Sequence, residues 1–337
     1  MTENEQSSLI LASSPHIVSP VATKQLMANV LIALAPASIF GVFIFGVPAL
    51  LTIIVAVAAA VLGEACFRSI IKQDIRIKDL SAAVTGLLLA LVLPPGTPLW
   101  ITALGALFAI VVAKEFFGGL GANVFNPALI GRAVLIMSFP AALTTWHVPE
   151  TFGASITDAV STATPLNIIK QGGSIADIAV SLGLDPASDY GSVMGTLFFG
   201  NHGGCIGETS ILLILVGAVY LLITKTIDWR APAAMIATTA LSSLLLGMDP
   251  LFAIVSGGVF FGAVFMATDY VSAPLTAYGK LVFGFGAGLI TVLIRKWGNY
   301  PEGVTYGLLI MNAVTPFLNR LLQRKYGFVP KPKGAGK

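Results

Sequence analysis

Charge is scarce in this chain. Of 337 residues, 19 are Lys or Arg and 16 are Asp or Glu, so charged side chains make up 10% of the sequence, against about a quarter in a soluble domain. Hydrophobic residues reach 56% and the mean hydropathy is +0.88. A water-soluble fold is excluded and an all-α polytopic membrane protein is indicated. Cysteine is rarer still. Cys66 and Cys205 lie far apart and belong to no CxxC pair, which argues against a disulfide framework and against an iron–sulfur cluster held by this chain alone. His16, His147 and His202 are dispersed among loops, so no metal site is expected from them. The net charge of +3 is small and scattered, without the basic, aromatic-interleaved patch that nucleic acid requires. The amino terminus, MTENEQSSLILASSPHIVSP, is polar and lacks the charged region, apolar core and cleavage site of a secretory signal. It is expected to stay in the mature protein.

What the sequence has instead is a succession of apolar runs. A bilayer crossing takes roughly 20 apolar residues, and that rule gives about ten spans. The first five are Gln25–Phe45, Pro48–Ile71, Leu80–Leu93, Leu99–Val112 and Asn126–Leu143. The second five are Glu208–Thr224, Ala231–Leu246, Leu251–Ala267, Leu281–Ile294 and Val304–Leu322. The chain therefore divides into an N-terminal segment (1–24), a first membrane block (25–143), a long polar loop (144–207), a second block (208–322) and a tail (323–337). A loop of that length usually carries function or a small packed subdomain.

Basic residues set the expected orientation. Arg68, Lys72, Arg76 and Lys78 follow the second span, Lys225 and Arg230 flank the KTIDWR turn, and Arg320, Arg324, Lys325, Lys331, Lys333 and Lys337 follow the last. All fall on one side if both termini are cytoplasmic, with Arg295 and Lys296 dissenting. The 144–207 loop is then outside. The two blocks also resemble each other: GLLLALVLPPGTPLW matches GAVFMATDYVSAPLT in position, and GGLGANVFNPALIGRAVL aligns loosely with RKWGNYPEGVTYGLLIMN. Five spans per block would make the repeats inverted, with helices interrupted at Pro94, Pro95 and Pro274 meeting at the repeat interface.

The long loop contains TDAVSTATPLN, residues 157–167. Thr164 precedes Pro165, which favours an extended backbone and presents the hydroxyl, while Ala159 and Ala163 leave room for a bulky group. A covalent acceptor site would look like this. So would a helix cap or an ST-turn, for which Ser, Thr and Asp are all suited.

The stretch DAVSTATPL is similar to a flavinylation motif, Asp-x-x-(Ser/Thr)-(small)-Ala-Thr. Further segments at 14–20 (SPHIVSP), 123–135 (NVFNPALIGRAVL), 204–210 (GCIGETS), 265–274 (FMATDYVSAP) and 300–312 (YPEGVTYGLLIMN) extend the likeness along nearly the whole chain. On these residues the chain resembles the RnfD and NqrB family of membrane flavoproteins. The resemblance implies FMN bound through a phosphoester on Thr164, with Asp158, Ser161, Thr162 and Ala163 completing the motif. Thr162 departs from the family's common glycine. A second, non-covalent flavin such as riboflavin is left open. The resemblance also implies a place in an Rnf complex beside its A, B, C, E and G components, in the cytoplasmic membrane of a bacterium or archaeon. Such a complex passes electrons between ferredoxin and NAD⁺ and moves Na⁺ or H⁺. A flavin transferase would act as maturation partner and membrane lipid would surround the spans. The rival reading is a small-solute channel or secondary transporter, an architecture that also uses inverted repeats.

Other residues carry expectations of their own. Asp269, in MATDYVSAP, is an ion-pathway candidate because an ionisable group at membrane depth is costly; it would serve equally as a helix cap. Asn123 and Asn126 begin the fifth span, where free backbone N–H groups can hold a phosphate or a flavin edge. The adjacent Lys114 and Glu115 read as an interfacial pair, Glu208 as a carboxylate at a helix start, and Cys66 as a small buried thiol.

Overall fold

The computed structural model describes residues 22–146, 164–200, 202–298, 300 and 302–321, and every regular element among them is helical. The first helix, α1 (Thr23–Ile70), has 48 residues and would be about 72 Å long if straight, far more than a hydrocarbon core of roughly 30 Å. It is broken at Gly46, whose φ of 66° and ψ of −148° are not helical. Two residues on, Pro48 removes a donor from the ladder. The kink thus separates the two spans expected on either side of residues 46–47.

After α1 come α2 (Ser81–Leu91), α3 (Leu99–Leu107), which runs on as a π-turn over Phe108–Val112, α4 (Pro127–Ser138) and the short α5 (Pro140–Thr144). The described part of the polar loop forms α6 (Pro165–Lys170), α7 (Ile175–Ser181) and α8 (Tyr190–Phe199). These pack around their own core of Leu166, Ile178, Ala179, Val193 and Leu197, closed by Phe252 from the second block. The second block follows as α9 (Ile211–Ile223), α10 (Arg230–Leu245), α11 (Pro250–Val255), α12 (Val259–Phe261) with a π-turn to Met266, α13 (Ala277–Trp297) and α14 (Val304–Leu321).

Three stretches, Thr23–Ile70, Leu99–Phe117 and Ala277–Trp297, are long and apolar enough to cross a bilayer. The helices α2, α4 and α9 are apolar but shorter. Two expected spans are interrupted. Asn126–Leu143 breaks at Phe139, between α4 and α5. Leu251–Ala267 breaks at Ser256–Gly258, where Gly257 has a φ of 70°.

The helix starts have a common local grammar. Asn126, Asp249 and Thr164 each cap a helix whose first residue is proline, and each side-chain oxygen accepts backbone N–H groups of the first turn. Proline is suited to that position because its missing N–H would be unpaired anyway.

The aligned repeats agree with the helix boundaries. Pairing GGLGANVFNPALIGRAVL with RKWGNYPEGVTYGLLIMN puts Pro127, the first residue of α4, opposite Val304, the first of α14, and these two helices pack on one another. Pairing GLLLALVLPPGTPLW with GAVFMATDYVSAPLT puts Leu91, the end of α2, opposite Ala267, one residue beyond the second π-turn. Each interruption has polar partners of its own. Past α2, the carbonyls of Leu91 and Leu93 accept from Gly207 N (2.7 Å) and Ile206 N (3.1 Å), which satisfies groups that lipid would leave unpaired. Asp269, Tyr270, Ala273 and Pro274 line a pocket with Thr226 to Asp228, Ala231 and Lys280.

Candidate functional site

Thr164 is one of the residues lining a narrow pocket between the polar loop and the second block. Trp146, Pro165, Leu166 and Leu197 form its apolar wall, while His202, Gly203, Gly204, Cys205, Glu208, Ser256, Gly257 and Glu302 form its polar one. Thr164 has an extended backbone (φ −64°, ψ 151°) and its hydroxyl oxygen accepts from Asn167 N at 3.3 Å. The hydroxyl is both helix cap and pocket edge. A cap is worth about 1 kcal/mol, too little to hold Thr164 out of other chemistry. Asp158, Ser161, Thr162 and Ala163 lie outside the described residues.

Behind the polar wall stands a buried ion cluster. Arg132, projecting from α4, pairs with Glu208 at 3.4 Å and with Glu302, and its guanidinium also donates to Cys205 Sγ at 3.5 Å. The ligand-type atoms of Cys205, Glu208 and Glu302 lie within 4.8 Å of one another. Because one guanidinium already engages both carboxylates, the group reads as an ion-pair network. Arg295 of α13 stands close by and donates instead to Ala253 O and to Ser256 O (3.1 Å). It thereby satisfies the carbonyls that the end of α11 leaves free, as a cation at a helix C-terminus does. The cluster joins the first block to the second, which sequence spacing could not reveal: Arg132 and Glu302 are 170 residues apart. The signal in the sequence is a charge in membrane-grade surroundings, since such residues are almost always paired.

His202, dispersed from the other histidines in sequence, is buried in this pocket, with Nδ1 3.0 Å from Gly203 O. Burial pushes its imidazole below the usual value, against the opposing pull of backbone bonds at Gly203 and Thr209. Gly200, which precedes this turn, has a φ of 103°, and a Cβ there would meet Thr209 O at 2.7 Å.

The other candidates are placed elsewhere. Asn126 accepts from Ala128 N (3.0 Å) and Leu129 N (3.4 Å), and Asn123 donates to Phe125 O (3.0 Å). Asn126 therefore takes two of the N–H groups that a phosphate at this helix start would use. Asp269 accepts from Ser272 Oγ at 2.6 Å and opens on the second pocket. There Lys280 Nζ approaches Asp228 at 3.1 Å and the Tyr270 hydroxyl donates to Thr226 O. Lys280 and Arg295 lie fifteen residues apart on α13, about 22 Å, so the two pockets sit at opposite ends of that helix.

Two expectations about single residues are corrected. Lys114 and Glu115 do not pair with each other: Lys114 lies in a turn, Glu115 opens the one-turn segment Glu115–Phe117, and each side chain finds its partner on another element. Lys114 binds Glu64 (2.8 Å) and Ser81 Oγ (2.6 Å), while Glu115 binds Arg68 (3.0 Å). Cys66 is exposed; on an apolar helix surrounded by lipid, a small thiol has no reason to turn inward.

The NQR2, RnfD, RnfE family model matches residues 10–327. Similar proteins include the D component of the Na⁺-translocating ferredoxin:NAD⁺ oxidoreductase complex of Acetobacterium woodii, 42% identical over 333 residues and covering 98% of each chain. The D component of the proton-translocating ferredoxin:NAD⁺ oxidoreductase complex of Clostridium ljungdahlii is 43% identical over 320 residues, covering 93% of this chain and 94% of the relative. The D component of the ion-translocating oxidoreductase complex of Stutzerimonas stutzeri is 38% identical over 331 residues, covering 90% and 92%.

Proposed function

The chain belongs to the NQR2, RnfD, RnfE family, and from that premise we propose that it is the membrane subunit of an ion-translocating ferredoxin:NAD⁺ oxidoreductase that carries covalent FMN on Thr164. The observation that carries the flavin reading is that Thr164, last hydroxyl of the DAVSTATPL motif, has an extended backbone and lines a pocket beside Trp146 and His202. The residues present suit the group. Trp146 offers a flat apolar face, Gly203 and Gly204 carry no side chain, and Pro165, Leu166 and Leu197 make the lining mostly apolar, as an isoalloxazine ring requires. Bound there, the flavin would supply the electron-accepting and electron-donating chemistry, and the protein its position and electrostatics. Arg132 alone leaves one of the two carboxylates Glu208 and Glu302 uncompensated, and Arg295, which adjoins Gly257 together with Glu302, brings the wall to two cations and two anions.

The other components of the complex (A, B, C, E and G) are the proposed electron and ion partners, and a flavin transferase the maturation partner. Purified wild-type chain should fluoresce as a flavoprotein on a denaturing gel; a dark band from cells that contain the transferase would refute the flavin reading. Relatives of nearly equal similarity are named for different ions, Na⁺ in one and H⁺ in the other, so the coupling ion is left as either.

Both termini are proposed to face the cytoplasm and the Thr164 subdomain the outside, because that arrangement puts most basic loops inside. A cysteine introduced at Ser188 should react with an impermeant thiol reagent in intact cells and one at Gly334 should not; the reverse pattern would invert the topology. Asp269 is proposed to meet the coupling ion at the inner end. Asp269→Asn keeps the hydrogen bond to Ser272 and removes the charge, so ion transport in the assembled complex should fall while flavin attachment persists. Unchanged transport at every ion concentration would leave Asp269 as a cap alone.

A further inference from the structure

Where α1 ends, the chain makes a basic pocket that the electron-transfer reading does not use. It is an open cleft of about 370 Å³ lined by Arg68, Lys72, Gln73, Asp74, Arg76 and Gly118. Arg68 is already committed. It lies 3.0 Å from Glu115 and 3.5 Å from Glu64, and donates to Asp74 O at 3.2 Å. With Lys114 on Glu64, that buried group holds two cations and two anions and is neutral. Asp79 is engaged as well, accepting from Ser81 N (2.8 Å) and Ser81 Oγ (2.7 Å). Among the described residues neither Lys72 nor Arg76 forms an ion pair. Against them the pocket sets only Asp74, so two positive charges less one negative leave a surplus of one.

The lining residues are flanked in sequence by exposed apolar side chains: Ile70 and Ile71 precede Lys72, Ile75 lies between Asp74 and Arg76, and Phe116 and Phe117 precede Gly118, with Phe116 held beside α1 by Phe67, ring centroids 5.4 Å apart. Polar lining flanked by apolar side chains, next to the end of a membrane helix, is the profile of the headgroup boundary. The turn that closes the pocket requires glycine. Gly118 and Gly119 have φ of 112° and 89°, and a Cβ on Gly119 would stand 2.5 Å from Arg68 Nη2.

We propose that this pocket binds the phosphodiester headgroup of a monoanionic phospholipid, with Lys72 and Arg76 on the phosphate and the flanking Ile75 and Phe116 against the acyl chains. A surplus of one positive charge fits one phosphodiester. The apolar flank gives a lipid what it cannot give free phosphate, since only the lipid brings acyl chains to cover it. Basic side chains just beyond a membrane helix attract anionic lipid in this way, each contributing a roughly fivefold gain.

Native mass spectrometry of the detergent-purified full chain tests the assignment, with phosphatidylglycerol, phosphatidylcholine and inorganic phosphate titrated separately. One phosphatidylglycerol should be retained where phosphatidylcholine and phosphate are not. The double variant Lys72→Gln/Arg76→Gln, which leaves the buried cluster intact, should need about 30-fold more phosphatidylglycerol, while Lys225→Gln, on another basic loop, should bind as wild type does. Equal retention of both lipids, retention of phosphate at the same concentration, or a double variant with unchanged affinity would each overturn the proposal.

Discussion

Thr164→Val is expected to abolish covalent flavin, leaving a chain that inserts into the membrane but shows no fluorescence on a denaturing gel. Because Thr164 also caps α6, that variant alone would confuse loss of the acceptor with loss of the cap. Thr164→Asn separates them. Asparagine caps at least as well as threonine but offers no hydroxyl to esterify, so this variant should match the wild type in thermal stability and still be dark. The Val variant should lose about 1 kcal/mol from the cap. A fluorescent band from either variant would move the attachment elsewhere.

Arg132→Met is expected to be the most destabilising single change. It leaves the buried Glu208 and the half-buried Glu302 with carboxylate oxygens within 4.8 Å of one another, without the guanidinium that engages both. Removing one partner of a buried pair costs about 3–5 kcal/mol. Arg132→Lys should recover only part of this, since an ammonium lacks the fork that reaches two carboxylates at once. Adding Glu302→Gln to Arg132→Met should recover some stability by removing one stranded charge, a coupling that thermal unfolding of the purified chain would reveal as non-additivity. If Arg132→Met unfolds at the wild-type temperature, the cluster does not join the two blocks as described.

The membrane class and many helix boundaries are legible in the sequence because apolar run length and proline position act locally. The break near residue 46, the end of α2 and the starts of α4 and α14 all follow from such local signals. The break at Ser256–Gly258 is hidden because the apolar run 251–267 outweighs a glycine pair, and what stabilises the break is remote: Arg295 donates to Ser256 O. Buried charges mislead for the same reason. Lys114 next to Glu115 looks like a pair in sequence, but their partners are Glu64 and Arg68, 50 and 47 residues away. The site is half visible. The hydroxyl motif can be read, whereas the pocket beside it is assembled from residues 146 to 302 and has no sequence signature. His202 stands alone in the sequence because its neighbours are ones that only folding supplies.

Covalent flavin on Thr164 is tested most directly by peptide mass spectrometry of the chain purified from cells that contain the flavin transferase. An FMN adduct is expected on Thr164, within the peptide that spans DAVSTATPL. An adduct on Ser161 or Thr162, or a wholly unmodified peptide, would contradict it.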